Sequence, residues 1–306
     1  MSEKMLFIMN PVAGVKKPNR FLTEILTLFS NEDYEIQVQM TSPVLSGTHI
    51  VEKYAKGKDL IVCVGGDGTF NETVSGLLNN KLFPKVGYIP SGSTNDFANG
   101  LGISQNPLQA AKDILTGIPR KIDAGSFNGR LFIYTASFGI FTKASYSTPR
   151  DMKNTLGYLA YLLEGSKEIF DAPSYHLRAK GKNRSIEGDY IFGAVCNAKR
   201  IGGGLVKFSE NEVDINDGRL EVLFVKYPKN PAELIQIIFD AQSGKYDSPM
   251  FDFFSDEEIV VTTDDNISWS LDGEYQKGCD KIRFVNIKNA FSLILNEKKD
   301  KTDNDQ

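Results

Sequence analysis

Three short segments of this 306-residue chain carry the residue types that polyphosphate chemistry needs. They are Asn10-Pro11-Val12-Ala13-Gly14, Gly65-Gly66-Asp67-Gly68-Thr69 and Pro90-Ser91-Gly92-Ser93-Thr94-Asn95-Asp96, each containing glycine and rich in small donors. Glycine permits positive φ and lets the backbone come close to a phosphate, while Thr69 and Asn71 can cap or donate at a helix start. Asp67 cannot itself cradle a phosphate, because like charges repel. A carboxylate at that place makes sense if it meets Mg²⁺ bridging phosphate oxygens, or the hydroxyl that attacks. Taken alone, the second segment reads equally well as a tight turn linking strand to helix. The third alone reads more readily as a polar loop with an Asx-type cap at Asn95 or Asp96. Their coincidence at successive strand–helix junctions is what points to one anion site.

The elements that must position them are legible as alternating patterns. MLFIM (5–9), YEIQVQM (34–40), LIVCV (60–64) and KVGYI (85–89) are short apolar or β-branched runs, and stretches between them, such as RFLTEILTLF and NETVSGLL, carry apolar residues at helical spacing. Such alternation predicts a parallel sheet with helices on both faces. In that architecture ligands bind beyond the carboxyl ends of the strands, where the amides of helix starts favour anions.

From about Lys121 the pattern turns to strands: RLFIYTASFG, SYHLRAK, DYIFGAVCN, RLEVLFVKY, EIVVTT, NISWSLDGE and KIRFVNI. This predicts an antiparallel sandwich or barrel-like domain. Two helices interrupt it: MKNTLGYLAYLLEGSKEIF, with Leu156, Leu159 and Leu163 on one face, and PAELIQIIFDAQ, whose Pro231 suits a first turn. The expected domains are therefore 1–122 and 123–287, with the segment from about 288 to 306 packing back on the first. The polar tail NEKKDKTDNDQ reads as frayed.

Composition removes several classes. A net charge of -4 argues against a nucleic-acid binder, whose phosphate contacts need clustered Lys and Arg. With only two histidines, His49 and His176, a Ser-His-Asp triad or a His-based metal site is disfavoured. The three cysteines, Cys63, Cys196 and Cys279, form no C-x-x-C pair and read as thiols of a reducing compartment. No stretch approaches the ~20 apolar residues that span a bilayer, so the expected location is the cytoplasm.

The ordered set NPVAG (10–14), Thr41, GGDGTFNE (65–72), SGSTNDFAN (91–99), LGYLAYLLEG (156–165), GGG (202–204) with INDGRLEV (215–222), and LDGE (271–274) covers nearly the whole chain. It resembles the diacylglycerol kinase catalytic family, specifically the bacterial soluble lipid kinases. The resemblance implies a Rossmann-like, doubly wound α/β nucleotide-binding domain followed by an antiparallel β-sandwich domain, the NAD kinase/diacylglycerol kinase-like plan, with the active site in the cleft between them. It implies MgATP as phosphoryl donor and a lipid hydroxyl as acceptor, met transiently at the inner face of the membrane, and a homodimer in some members. By the same resemblance the nucleotide contacts are Asn10, Pro11, Val12, Ala13, Gly14, Thr41, Gly65, Gly66, Asp67, Gly68, Thr69, Phe70, Asn71, Glu72, Ser93, Thr94 and Asn95. A structural Mg²⁺ falls to Asp214, Asp217 and the carbonyl of Arg219. Asp272, Glu274 and Asp67 are the implied catalytic residues.

The residues themselves leave alternatives. Asp214 and Asp217 can offer two oxygens to a hard cation, yet Asp217-Gly218 reads more readily as a hairpin turn, and Asp272-Gly273 is ambiguous in the same way. Glu274 adds a carboxylate able to accept the proton of an alcohol. Ala13 stands where the family usually has serine, Ser93 where it has threonine, and Asn211 where a proline is common. An NAD kinase shares the G-G-D-G turn, but the T-x-T-G-S-T-A-Y-like segment of those enzymes is absent, and a phosphofructokinase would lack the β-rich second half. Sphingosine or another lipid alcohol is an alternative acceptor. A non-catalytic nucleotide-binding membrane module would be expected to lose the acidic residues that are present here. For membrane contact the candidates are LGYLAYLLEG, with Tyr158 and Tyr161, and MFDFF (250–254), beside Lys143, Arg150 and Lys153 as a local basic patch.

Overall fold

Uninterrupted apolar runs mark strands covered on both faces. Met5–Met9 is such a run, fully buried within β1 (Glu3–Met9), and Leu60–Gly65 (β3) is buried throughout. The structure, a computed structural model, describes residues 2–14, 18–140, 172–201, 206–208, 213–263 and 267–296. The chain divides into two units, Met1–Asp123 with Lys288–Gln306, and Ala124–Ile287.

In the first unit β1 lies between β2 (Tyr34–Met40) and β3, with β4 (Lys85–Pro90) beyond β3, every pairing parallel. A fifth parallel strand comes from the far end of the chain, where Ser292 and Leu293 pair with Lys85 and Val86. Helices α1 (Leu22–Asn31) and α5 (Pro107–Thr116) share one core with Met5, Phe7, Met9, Leu60 and Val62. On the opposite face lies α3 (Asp67–Asn79), whose Thr73 hydroxyl reaches the Cys63 thiol at 3.6 Å. Between these elements in sequence are α2 (Gly47–Tyr54) and the short α4 (Asp96–Gly100). The expected doubly wound sheet is present.

The second unit is antiparallel. The chain enters it within β5 (Ile118–Phe127) and continues through β6 (Arg130–Phe132), β7 (Thr135–Gly139), β8 (Tyr175–Lys180) and β9 (Ser185–Cys196). A two-residue ribbon pairs β10 (Arg200–Ile201) with β11 (Val206–Lys207). Then follow β12 (Leu220–Lys226), α6 (Pro231–Ser243), β13 (Phe251–Asp256), β14 (Glu258–Thr263), β15 (Ser268–Leu271), β16 (Glu274–Lys277) and β17 (Lys281–Leu295). The first half of β9 pairs with β8; its second half lies between β7 and β12. One strand thus serves two layers, and Phe138, Tyr190, Phe224, Trp269 and Phe284 fill a common core.

Two expectations change. RLFIYTASFG is not one strand: β6 stops at Phe132 and β7 begins at Thr135, because the amides of Ile133, Tyr134 and Thr135 all donate to the Asp272 carboxylate rather than to a sheet neighbour. KIRFVNI is only the first part of β17, which runs on to Leu295 and so carries the chain from the second unit back into the first. The stripe Leu156, Leu159 and Leu163, Tyr158, Tyr161, the basic residues Lys143, Arg150 and Lys153, the glycines 202–204, Asn211 and the tail from 297 lie outside the described residues.

Candidate active site

Because β1, β3 and β4 are parallel neighbours, the loops after them leave the same edge of the sheet. They touch. The Ser91 amide donates to the Gly65 carbonyl at 2.8 Å, the Asn10 side-chain amide to the Thr69 hydroxyl at 3.1 Å, and the Asn10 backbone to the Val64 carbonyl at 2.9 Å. Gly14 has φ +61°, and a Cβ there would sit 2.0 Å from the Ser91 carbonyl oxygen. Gly66 and Gly92 also meet closely, since a Cβ on Gly92 would fall 2.6 Å from the Gly66 Cα. Only glycine allows these backbones to approach so nearly. Thr41 joins the same edge, its amide bonded to the Met9 carbonyl at 2.9 Å.

Asp67 is the first residue of α3, where unpaired amides and the helix dipole favour negative charge. Its Oδ2 accepts the Asp96 amide at 3.0 Å, so the third loop fixes the second loop's carboxylate; the Tyr88 hydroxyl stands 3.5 Å from Oδ1. Asn95 holds φ 53°, a left-handed conformation that asparagine tolerates, and its side chain bonds to Gln105 at 2.9 Å and the Gly92 carbonyl at 3.2 Å. Pro11, Gly68 and Asn71 are partly covered, and Val12, Gly14, Ser93 and Thr94 are exposed around this carboxylate's loops. Ala13 is buried.

Two residues expected among the nucleotide contacts also hold the surrounding elements together. The Phe70 ring is buried, stacked on Tyr88 at 4.2 Å and Phe97 at 5.2 Å, and supports the loops from below. The Glu72 carboxylate accepts the Gly47 amide at 2.8 Å and anchors the start of α2. Cys63, under the same loops, is held as a thiol, since burial pushes its pKa up to about 12.

In the second unit Asp272 and Glu274 share the β15–β16 turn but have different surroundings. Asp272 is buried at φ 49° and takes the amides of Ile133 (2.6 Å), Tyr134 and Thr135 (both 3.0 Å). Such a carboxylate is a clamp that holds the 133–135 segment to the β15–β16 turn. Glu274 is exposed and paired with Arg130 at 3.1 Å; Arg130 also holds Gln276 at 2.7 Å. Arg130 escaped the sequence reading because 144 residues separate it from its partner.

A second acidic turn holds Asp214 and Asp217. Asp214 Oδ1 accepts the Asn216 amide at 3.1 Å and Asp217 Oδ1 the Arg219 amide at 2.8 Å, leaving each carboxylate a second oxygen. The Arg219 carbonyl receives the Asn286 side chain at 3.0 Å. Among the described residues no three His, Cys, Asp or Glu side chains stand close enough to grip one metal ion directly. Two carboxylates and a carbonyl are nevertheless hard donors of the kind Mg²⁺ takes, with water completing its shell. Next to this turn lies Glu221, also missed in the sequence although it stands alone as an acid within the apolar run Leu220–Val225. It is fully buried, and burial, followed by the charge of Asp217, pushes its pKa up to about 9.

Within MFDFF, Phe251 and Phe254 are buried in β13, Phe253 stacks on Phe208 at 5.6 Å, and Met250 and Phe253 are partly exposed. Among the described residues no helix is long and apolar enough to cross a bilayer.

A parallel sheet wound on both faces, with three glycine loops gathered around one carboxylate and an antiparallel unit following, defines a nucleotide-type phosphotransferase. The profile of the diacylglycerol kinase catalytic domain matches residues 4–127. The chain is 31% identical over 295 residues to a diacylglycerol kinase of Bacillus subtilis (strain 168), covering 95% of this chain and 96% of that protein. It is 27% identical over 296 residues to a diacylglycerol kinase of Staphylococcus epidermidis (strain ATCC 12228), covering 96% and 92%. In fold it is similar to the crystal structure of a diacylglycerol kinase from Bacillus anthracis str. Sterne, with a TM-score of 0.75 at 24% identity over 96% of this chain and 97% of that one. The chain belongs to the diacylglycerol kinase catalytic family. It is a kinase, an enzyme of the class that takes ATP as substrate.

Proposed function

We propose that this kinase transfers the γ-phosphoryl group of MgATP to the free hydroxyl of diacylglycerol, giving phosphatidic acid at a membrane surface. The observation that carries the reading is the convergence of the three glycine loops on Asp67, in a chain related from end to end to proteins named diacylglycerol kinase. The amides at the start of α3 and in the Gly65–Gly68 and Gly92–Thr94 turns cradle the phosphates. Asp67, steadied by the Asp96 amide, holds the nucleotide's cation. Mg²⁺, when bound, neutralises charge on the transferring group and fixes its geometry. Glu274, the outward carboxylate of its turn, accepts the proton of the acceptor hydroxyl, and Asp272 keeps that turn in shape. No covalent enzyme intermediate is needed, since positioning and charge neutralisation carry phosphoryl transfer.

The test is transfer from radiolabelled ATP with Mg²⁺ in mixed micelles, offering diacylglycerol, sphingosine, monoacylglycerol, undecaprenol and NAD in parallel. Label in phosphatidic acid is expected, with Asp67→Ala and Glu274→Ala folded yet slower by two or more orders of magnitude, about 3 kcal/mol or more in barrier. Label in a different lipid refutes the acceptor and keeps the mechanism. Near-native turnover in either variant removes that residue from its role.

A further inference from the structure

Exposed ion pairs contribute little to stability, but their geometry decides which atoms stay free. Three arginine–glutamate pairs are found among the described residues. Arg283 grips Glu258 with a fork, Nε on Oε1 at 2.7 Å and Nη2 on Oε2 at 2.6 Å. Arg178 sends Nε and Nη2 to Oε2 of Glu187, whose Oε1 stands 3.6 Å from His176 Nε2. Both oxygens of these two carboxylates therefore face a basic side chain. The pair of Arg130 with Glu274 differs. Only Nη2 reaches Glu274, at 3.1 Å from Oε2, and no hydrogen bond among the described residues falls on Oε1.

What withholds the fork is Gln276. Its Oε1 accepts Arg130 Nη1 at 2.7 Å, the shorter of the arginine's two bonds. Its own amide nitrogen donates to the Lys277 carbonyl at 2.8 Å, which fixes the end of the amide that faces the arginine. Glu274 and Gln276 are two apart in β16, opposite Leu271 and Trp269 of β15, so their side chains share one face of the strand. The arginine opens β6, three residues before Ile133, and the amides of Ile133, Tyr134 and Thr135 are bound by Asp272. One buried carboxylate thus fixes the backbone on both sides of the contact between Arg130 and Glu274.

We propose that Arg130 and Gln276 are positioning residues for Glu274. Gln276 occupies one guanidinium nitrogen, so Arg130 aligns the carboxylate through Oε2 and leaves Oε1 open to the acceptor's hydroxyl. A two-pronged pair would tie both oxygens into charge-assisted bonds, one of which would have to break before the proton could be taken. With no arginine at all, a long exposed side chain would have to find its aim at each turnover, and small errors of aim slow a reaction strongly. The single contact avoids both. This role rests on Glu274 being the proton acceptor, and it names the residues through which that group is aimed.

The experiment measures turnover with radiolabelled ATP, Mg²⁺ and diacylglycerol micelles. Arg130→Ala, Gln276→Ala and Glu274→Ala are compared singly and in pairs, each checked for a wild-type thermal transition. Arg130→Ala is expected to lower kcat about 10- to 100-fold with KM for both substrates little changed, and Gln276→Ala to lower it by a smaller factor, about 3- to 10-fold. Because Gln276 works through Arg130 and Arg130 through Glu274, each double variant is expected to be no slower than its slower parent. An arginine that served only the fold, or that held substrate directly, would slow Glu274→Ala further, and that result overturns the proposal. Near-native turnover in Arg130→Ala beside a slow Glu274→Ala also overturns it, yet leaves the proton acceptor in place. Near-native turnover in Glu274→Ala removes the acceptor itself and the positioning role with it. If Arg130→Ala does not fold, Gln276→Ala decides: a wild-type kcat, or a loss that persists when Glu274 is already alanine, sinks the idea.

Discussion

At the scale of single residues, similar letters in the sequence do different work. Asp272 and Glu274 are two positions apart, yet one is buried under three amides and the other faces water beside Arg130. Asp272→Ala would leave three buried donors unpaired and is expected to cost about 3–5 kcal/mol in urea unfolding. Glu274→Ala, which loses only an exposed ion pair, should stay within about 1 kcal/mol of wild type by the same measurement while losing turnover. A stability loss confined to Glu274→Ala would reverse the two roles. The glycines divide in the same way. Gly92→Ala drives a Cβ to 2.6 Å from the Gly66 backbone and is expected to cost about 1–3 kcal/mol and weaken ATP binding, whereas at Gly100 a Cβ meets nothing within 4 Å and the same change should be near neutral. Equal effects at the two positions would show that the loop contact carries no weight.

At the scale of elements, the first unit was legible because each signal there is local. Four apolar runs became β1 to β4, and the glycines after three of them mark where the backbone must crowd. Pro231 opens α6 as its position suggested, behind an Asn230 cap that takes the Glu233 amide at 3.0 Å. Asn230→Ala is accordingly expected to lower stability by about 1 kcal/mol, read as a shift of the urea midpoint at constant m-value. What stayed hidden depends on partners far away in sequence. The break between β6 and β7 is imposed by Asp272, 137 to 139 residues later, and nothing within RLFIYTASFG announces it. Phe70 entered the expected contacts only through the resemblance; the folded α3 shows its ring turned inward onto Tyr88 and Phe97. Glu221 was visible as an acid in an apolar strand, but its lack of a partner is a property of three strands together.

At the scale of the molecule, the first unit is built from both ends of the described chain. Phe291 packs against Phe70 at 5.9 Å, Leu293 is fully buried, and Ser292 and Leu293 pair with β4. A fragment of residues 1–123 would expose this surface and leave β4 as a bare edge, so it is expected to show no cooperative thermal transition by circular dichroism. Asp123 and Asn289 are already joined by a 2.7 Å hydrogen bond, so a short glycine bridge from 123 to 288–296 should restore the transition. Cooperative melting of the fragment alone would contradict this. The same discontinuity orders events on the ribosome. Asn289 is translated 166 residues after Asp123, which at about 5–20 residues per second means a wait of roughly ten to thirty seconds. During synthesis the inserted unit has most of its chain in hand before the enclosing one can close. A nascent molecule therefore holds its phosphate loops beside an unfinished sheet edge, and a stall late in translation would release a chain unable to fold its first half.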